Sequence, residues 1–198
     1  EEEALIVKEH IEKEYKVLLN REQFDVLIEL LQPEPAFCQT NRYFDTAERY
    51  LQKHGGALRI REKNGQFLFT LKVRKNADTL LEYEGPVDRC DASAFEQADI
   101  QELLHAHGVC QPLQQIAELR TWRAIHITDH AEICLDINQY QGHTDYEIEY
   151  EYTQPHDGRT CFQSILDHVH ITYETNCASK IARAMAVSGG AADDRSAE

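Results

Sequence analysis

The stretch that decides the fold is "ALRIREKNGQFLFTLKVRK", Ala57 to Lys75. It reads as two alternating runs joined at Asn64 and Gly65, a dipeptide that favours a type I′ turn, and therefore as a β-hairpin. Successive side chains of an extended chain point to opposite faces. Arg59 and Arg61 thus oppose Leu58 and Ile60, and on the second run Thr70, Lys72 and Arg74 oppose Phe69, Leu71 and Val73. A wet sheet face ordinarily mixes serine, threonine, glutamine and charges of both signs. Here the polar faces are nearly all cationic.

Other strands repeat the pattern with acids. "IEKEYK", Ile11 to Lys16, sets Glu12, Glu14 and Lys16 at alternate positions of a strand read as Ile11 to Leu19. Glu82 and Glu84 alternate with Leu81 and Tyr83 in "TLLEYEGPVD", and Asp136 lies between Leu135 and Ile137 in "AEICLDINQY". In "DYEIEYEY", Glu147, Glu149 and Glu151 alternate with Tyr146, Ile148 and Tyr150. "FCQTNRYFDT" and "LQQIAELRTWRAIHIT" complete the strands. "NREQFDVLIELL" is expected as a helix capped by Asn20, with Phe24, Leu27, Ile28 and Leu31 on one face. A short helical turn in "AERYLQKHGG" and helices at Asp91 to Gly108, "GRTCFQSILDHV" and "SKIARAMAV" follow from the same spacing rule.

Closing such a sheet with its apolar faces outward beneath the helices lines the interior with carboxylates and cations. A buried lone charge costs several kcal/mol, so these groups must pair, stay hydrated or bind something. Clustered carboxylate oxygens suit Mg²⁺ or Mn²⁺, and arginine and lysine suit phosphate oxygens. A water-filled tunnel with both holds a metal-bound polyphosphate.

Composition narrows the class. The chain has 198 residues, 42% hydrophobic and 28% charged, which fits a soluble globular protein of one domain. A formal charge of -15 argues against nucleic acid and anionic lipid as partners. No apolar run reaches membrane-spanning length and the N-terminus lacks a signal-peptide pattern, so the expected location is the cytoplasm. Cys38, Cys90, Cys110, Cys134, Cys161 and Cys177 are widely spaced with no CxxC, as reduced thiols are. The histidines of "HAH" and "HVH" lack partners at metal-binding spacing. The tail "SGGAADDRSAE" has the composition of a disordered terminus.

The segment "EKEYK" fits an ExExK signature, and "NRYFDT", "GGALRIREKNGQFLFTLK", "LLEYEG", "LDINQYQGHTDYEIEYE" and "SKIARA" follow it in the order seen in the CYTH family, the triphosphate tunnel metalloenzymes. The sequence most resembles the family's small stand-alone bacterial branch. The resemblance implies an α+β fold: a closed eight-stranded antiparallel β tunnel with a charged interior and helices outside. It also implies a flexible lead-in over 1–9, a single tunnel domain over 10–187 and a disordered tail over 188–198. Carried over by motif, Glu12 and Glu14 hold the metal with Asp136, Glu147 and Glu149, and the last three also serve catalysis. Lys16, Arg59, Arg61, Lys72, Arg123 and Lys180 hold the phosphate chain, and Glu82 and Glu84 orient the arginines. Arg74 stands between phosphate contact and surface, and Glu151 between the site and solvent. Arg123 is preferred to Arg120 for the cation of its strand, because of its "TxR" context. Trp122 reads as a packing residue. The implied cofactor is Mg²⁺ or Mn²⁺, and the implied partner is a small-molecule triphosphate or polyphosphate, with room for a homodimer. The expected activity is hydrolysis of a triphosphate. The alternatives are a class IV-type adenylate cyclase, a polyphosphate or nucleotide sensor without turnover, and an acidic scaffold whose charges only pair with each other.

Overall fold

The computed structural model describes residues 8–75 and 80–193, with side chains described from 11 to 187 within that span. The chain packs as two compact units. The first takes residues up to Glu12 and Gln39–Leu119; the second takes Lys13–Cys38 and everything from Arg120 onward.

In the first unit, β1 (Lys8–Glu12) pairs antiparallel with β6 (Leu80–Val87), which pairs with β5 (Gln66–Arg74), then β4 (Ala57–Lys63), then β3 (Phe37–Thr46). The β4–β5 hairpin turns at Asn64 and Gly65, with φ of 52° and 72°. Both lie in the left-handed region that a type I′ turn requires. Leu58, Ile60, Phe69 and Leu71 are fully buried and pack with Phe95, Ile100 and Leu104. Those three come from the helical segment expected over Asp91–Gly108, which is a 3₁₀ turn at Ala92–Glu96 followed by α3 (Ala98–Ala106). Gln97 breaks the two apart because its backbone is extended, at φ -62° and ψ 133°. The short α2 (Tyr50–Lys53) also belongs to this unit.

In the second unit, β2 (Glu14–Leu19) pairs with β9 (His143–Tyr152), β9 with β8 (Ala131–Tyr140), and β8 with the latter half of β7 (Leu113–Ile127). Val17, Leu19, Ile133, Leu135, Ile148 and Tyr150 form the buried apolar face. Over them lie Phe24 and Leu27 of α1 (Arg21–Leu31) and Phe162 and Leu166 of α4 (Gly158–Leu166). Asn20 caps α1 as expected: its side chain accepts from the Gln23 N–H while the Gln23 side chain accepts from the Asn20 N–H.

The sheet has nine strands, not eight. The stretch read as one strand from Ile11 is two, because the chain changes partner at Lys13. Residues 8–12 pair with β6 and residues 14–19 with β9, so Glu12 and Glu14 serve different units. Regular structure also passes both expected bounds: β1 starts at Lys8, and α5 (Lys180–Asp193) covers most of the expected tail. The remainder of the lead-in, 1–7, and of the tail, 194–198, lies outside the described residues. Among the described residues no helix is long and apolar enough to cross a membrane.

Candidate functional site

The densest charged group lies in the second unit, on the face of the sheet opposite its apolar core. Period-two alternation puts Asp145, Glu147 and Glu149 on one face of β9. Register then sets Asp136 of β8 beside Glu147, Arg123 of β7 beside Asp136, and Lys16 of β2 beside Glu149. Lys180, at the start of α5, reaches all three acids. Its Nζ donates to Glu147 Oε1 at 2.9 Å and Glu149 Oε1 at 2.5 Å, and lies 3.0 Å from Asp136 Oδ2. Arg123 forks onto Asp136, with Nε donating to Oδ1 at 2.8 Å and Nη2 to Oδ2 at 2.6 Å, and it also donates to Glu149. Lys16 Nζ donates to Glu14 Oε1 at 2.5 Å.

Asp136 and Glu147 are 0% exposed, so each charge there depends on its partners. Burial opposes the charge of Lys180 and Lys16, yet the facing carboxylates outweigh it and raise both ammonium groups above the usual lysine range. Burial pushes the Glu147 carboxyl up, to about 7, against the pull of Lys180. Burial acts on Glu149 in the same direction, but Lys180 and Arg123 overcome it and hold that carboxylate well below its ordinary value. The two neighbours are driven apart, one inclined to hold a proton and the other to stay charged.

Asp136, Glu147 and Glu149 can each offer a carboxylate oxygen within 4.8 Å of the others'. A donor set of clustered hard oxygens fits Mg²⁺ or Mn²⁺. Glu14 lies on the neighbouring strand with Lys16.

The first unit carries the other expected residues. Lys72 Nζ donates to both oxygens of Glu12, at 2.7 and 2.6 Å, and lies 3.0 Å from Glu82 Oε2. Glu12 is therefore an ion-pair partner of Lys72 and is no member of the three-acid group. Arg59 sits in register between Tyr43 and Thr70; burial works against its charge, and Tyr43 and Glu82 more than compensate. Arg61 Nε donates to Asn41 Oδ1 at 3.1 Å. Glu84 is half-buried and opposite Thr70. Arg74 is exposed, its side chain lying over the turn at Gly55. In the second unit Arg120 is exposed and rests over the Trp122 ring, 6.0 Å from its centroid, whereas Arg123 is in the cluster. Glu151 is half-buried, opposite Glu14.

Two participants escaped the sequence reading. Arg183 donates through Nε to Asp145 Oδ2 at 2.8 Å and through Nη2 to Glu147. Asp145 also accepts from Asn138 at 2.9 Å and from the Tyr140 hydroxyl at 2.6 Å. Both had a signal: Asp145 continues the alternation of Glu147 and Glu149 by one rung, and Arg183 follows Lys180 by three residues, one helical face.

This fold and this pairing of acids with cations define a class. The model of the CYTH domain matches residues 10–185, and the chain belongs to the CYTH family. It is 32% identical over 170 residues to the candidate triphosphatase YjbK of Bacillus subtilis, covering 83% of this chain and 90% of that one. Among solved structures, it is similar to a candidate adenylate cyclase from Bacillus halodurans, with a TM-score of 0.77 and 33% identity over 88% of this chain and 97% of that one. It is also similar to a candidate adenylyl cyclase from Hippeastrum, described as having a dominant triphosphatase activity, with a TM-score of 0.71 and 26% identity over 89% of this chain and 95% of that one.

Proposed function

We propose that the protein hydrolyses the terminal phosphoanhydride of inorganic tripolyphosphate, or of a small organic triphosphate such as thiamine triphosphate or a nucleotide, with Mg²⁺ or Mn²⁺. The observation that carries this reading is the meeting of Asp136, Glu147 and Glu149 with Lys180, Arg123 and Lys16 on one sheet face. The candidate triphosphatase from Bacillus subtilis and the triphosphatase activity of the Hippeastrum protein support it.

Charge arithmetic indicates how the group works. With Glu147 ionised, Glu14, Asp136, Asp145, Glu147 and Glu149 bring five negative charges and Lys16, Arg123, Lys180 and Arg183 four positive ones, a balance of minus one; with Glu147 protonated the group is neutral. A divalent cation on the three carboxylates supplies neutralisation of phosphate charge and a fixed orientation for the reacting groups. The same carboxylates hold Lys180 and Arg123, so carboxylate oxygens engaged elsewhere leave ammonium and guanidinium hydrogens for phosphate oxygens. A carboxylate of the group that the cation leaves unengaged takes up the proton from the attacking water. In the first unit Arg59, Arg61 and Lys72 are cations suited to phosphate oxygens, and Glu12 and Glu82 hold Lys72 in place. No protein nucleophile is required.

A second reading, adenylate cyclase, draws on the relative from Bacillus halodurans. Purified protein incubated with tripolyphosphate, ATP or thiamine triphosphate and Mg²⁺ or Mn²⁺ separates the two when phosphate and cyclic AMP are both measured. Metal-dependent phosphate release that disappears in Glu149→Gln supports hydrolysis. Cyclic AMP from ATP replaces that reading with the cyclase, and tight binding without either product replaces it with a sensor.

A further inference from the structure

The charges of the second unit's three-acid group meet partners, whereas on the first unit's polar face two hydrogen-bearing buried atoms have no hydrogen-bond partner among the described residues. Thr70 is 1% exposed, and among the described residues its Oγ1 has no hydrogen-bond partner. The Nε of Arg59 is likewise buried and without one. The two are not independent, because Arg59 and Thr70 are direct partners in the β4–β5 register. Directly opposed residues place their side chains on the same face with Cβ atoms about 5 Å apart.

The chemistry of the two atoms restricts what completes them. A guanidinium Nε only donates, and a threonine hydroxyl donates or accepts. They cannot both be satisfied by a donor, so the group that meets both is an acceptor oxygen. An apolar site would not carry these atoms, since burying an unmet hydroxyl and an unmet cationic N–H is costly. Cations and acids share this part of the fold: Arg59, Arg61 and Lys72 stand with Glu12, Glu82 and Glu84, among others, on the first unit's strands. Directed hydrogens therefore add to charge in selecting an anion here, and Glu12 and Glu82 are already held by Lys72.

We propose that Thr70 and Arg59 form a two-donor seat for one non-bridging oxygen of a phosphate group, with Thr70 as a substrate-positioning residue. This rests on the triphosphatase reading for the identity of the phosphate, but the seat itself requires only a tetrahedral oxyanion. Tyr43, opposite Arg59 on β3, hydrogen-bonds the Arg59 side chain, and Nε is left without a partner among the described residues.

The test compares wild type, Thr70→Val and Thr70→Ser. Valine keeps the shape and β-branching and removes the hydroxyl; serine restores the hydroxyl. Binding of tripolyphosphate and of pyrophosphate is measured by calorimetry, and phosphate release by steady-state kinetics with Mn²⁺. The expected result is about a ten- to hundredfold loss of affinity for both anions in Thr70→Val, the size of a hydrogen bond to a charged group, with recovery in Thr70→Ser. KM should rise correspondingly, with kcat changed less. Thermal unfolding should show Thr70→Val at least as stable as wild type, so that a folding defect is not mistaken for lost binding. Unchanged anion affinity in Thr70→Val overturns the seat, and the triphosphatase reading survives if phosphate is still released. Loss of anion affinity in Thr70→Val from a wild type that binds but does not hydrolyse keeps the seat and overturns the triphosphatase reading. A wild type that binds neither anion overturns both.

Discussion

Each unit of the molecule builds its charged face around one lysine, but the two lysines are set differently. Lys180 bridges three acids from two strands, and its own position comes from a helix more than thirty residues downstream of Glu149. Lys72 bridges Glu12 and Glu82 from neighbouring strands of its own sheet. Two of the acids under Lys180 are the more buried, the side chains of Asp136 and Glu147 being at 0% exposure, whereas Glu149 is about as buried as Glu12 and Glu82. Around Lys72 a buried hydroxyl and a guanidinium N–H are left over. One face is an acid set closed by cations and suited to a metal; the other keeps donors in reserve and is suited to an anion.

The comparison is tested most severely by removing each lysine in turn. Lys180→Met leaves three carboxylates without their shared cation and is expected to cost about 3–5 kcal/mol by urea denaturation. Lys72→Met should cost about 1–3 kcal/mol, because its partners lie in a less crowded set. Saturating Mn²⁺ should return part of the loss in Lys180→Met, one cation replacing another, and little in Lys72→Met. Equal losses and equal rescue would erase the distinction. The ligand counterpart is a crossed pair of variants: Asp136→Asn should weaken Mn²⁺ binding at least about tenfold. Arg59→Ala should weaken tripolyphosphate binding while Mn²⁺ affinity stays within about twofold, since cation and anion contacts reside in different residues.

A smaller effect follows from Glu147. Its carboxyl is raised to about 7, and only the carboxylate form binds a cation. Below that pH, binding must expel a proton, so apparent Mn²⁺ affinity should rise by up to about tenfold per pH unit and level off above it. Glu149 is held in the opposite direction and contributes no such slope at neutral pH. Titration calorimetry from pH 6 to 8 checks the sign. A flat profile for wild type, or an unchanged slope in Glu147→Gln, would remove Glu147 as the source.

Much of this was legible in the residues. The Ala57–Lys75 hairpin, the strands Phe37–Thr46 and Ala131–Tyr140 and the Asn20 cap all followed from local rules, namely turn chemistry, alternation and side-chain capping. The sorting of Asp136, Glu147 and Glu149 from Leu135 and Ile148 also needed only the two-residue period. What stayed hidden depends on pairing. The change of partner at Lys13 preserves the alternation on either side, so nothing in "IEKEYK" separates Glu12 from Glu14. The break at Gln97 is similar, because the apolar residues around it keep helical spacing while one backbone dihedral does not.

Least legible is Asn176, in a segment without regular structure between α4 and α5. Its Oδ1 accepts from the Lys16 N–H at 2.9 Å and its Nδ2 donates to the Glu14 carbonyl at 3.1 Å. The amide orientation is fixed, since a backbone N–H can only donate and a carbonyl only accept. The Tyr173 hydroxyl donates to the same Oδ1 at 2.9 Å, and the Cys177 N–H donates to the Lys16 carbonyl at 3.1 Å. These contacts occupy the side of β2 that does not pair with β9 and hold the two residues that carry Glu14 and Lys16 into the acid-rich face. Asn176→Ala removes two hydrogen bonds to backbone and is expected to cost about 1–2 kcal/mol, with faster hydrogen exchange at the Lys16 amide. Asn176→Asp keeps the acceptor for the Lys16 N–H but turns the other contact into oxygen against oxygen. If the amide serves only to satisfy the edge of β2, the two variants lose stability alike and tripolyphosphate binding is unaffected. If it also aims Glu14 and Lys16, Asn176→Asp weakens binding by more than its stability loss accounts for, while Thr70→Val in the other unit leaves exchange at Lys16 unchanged.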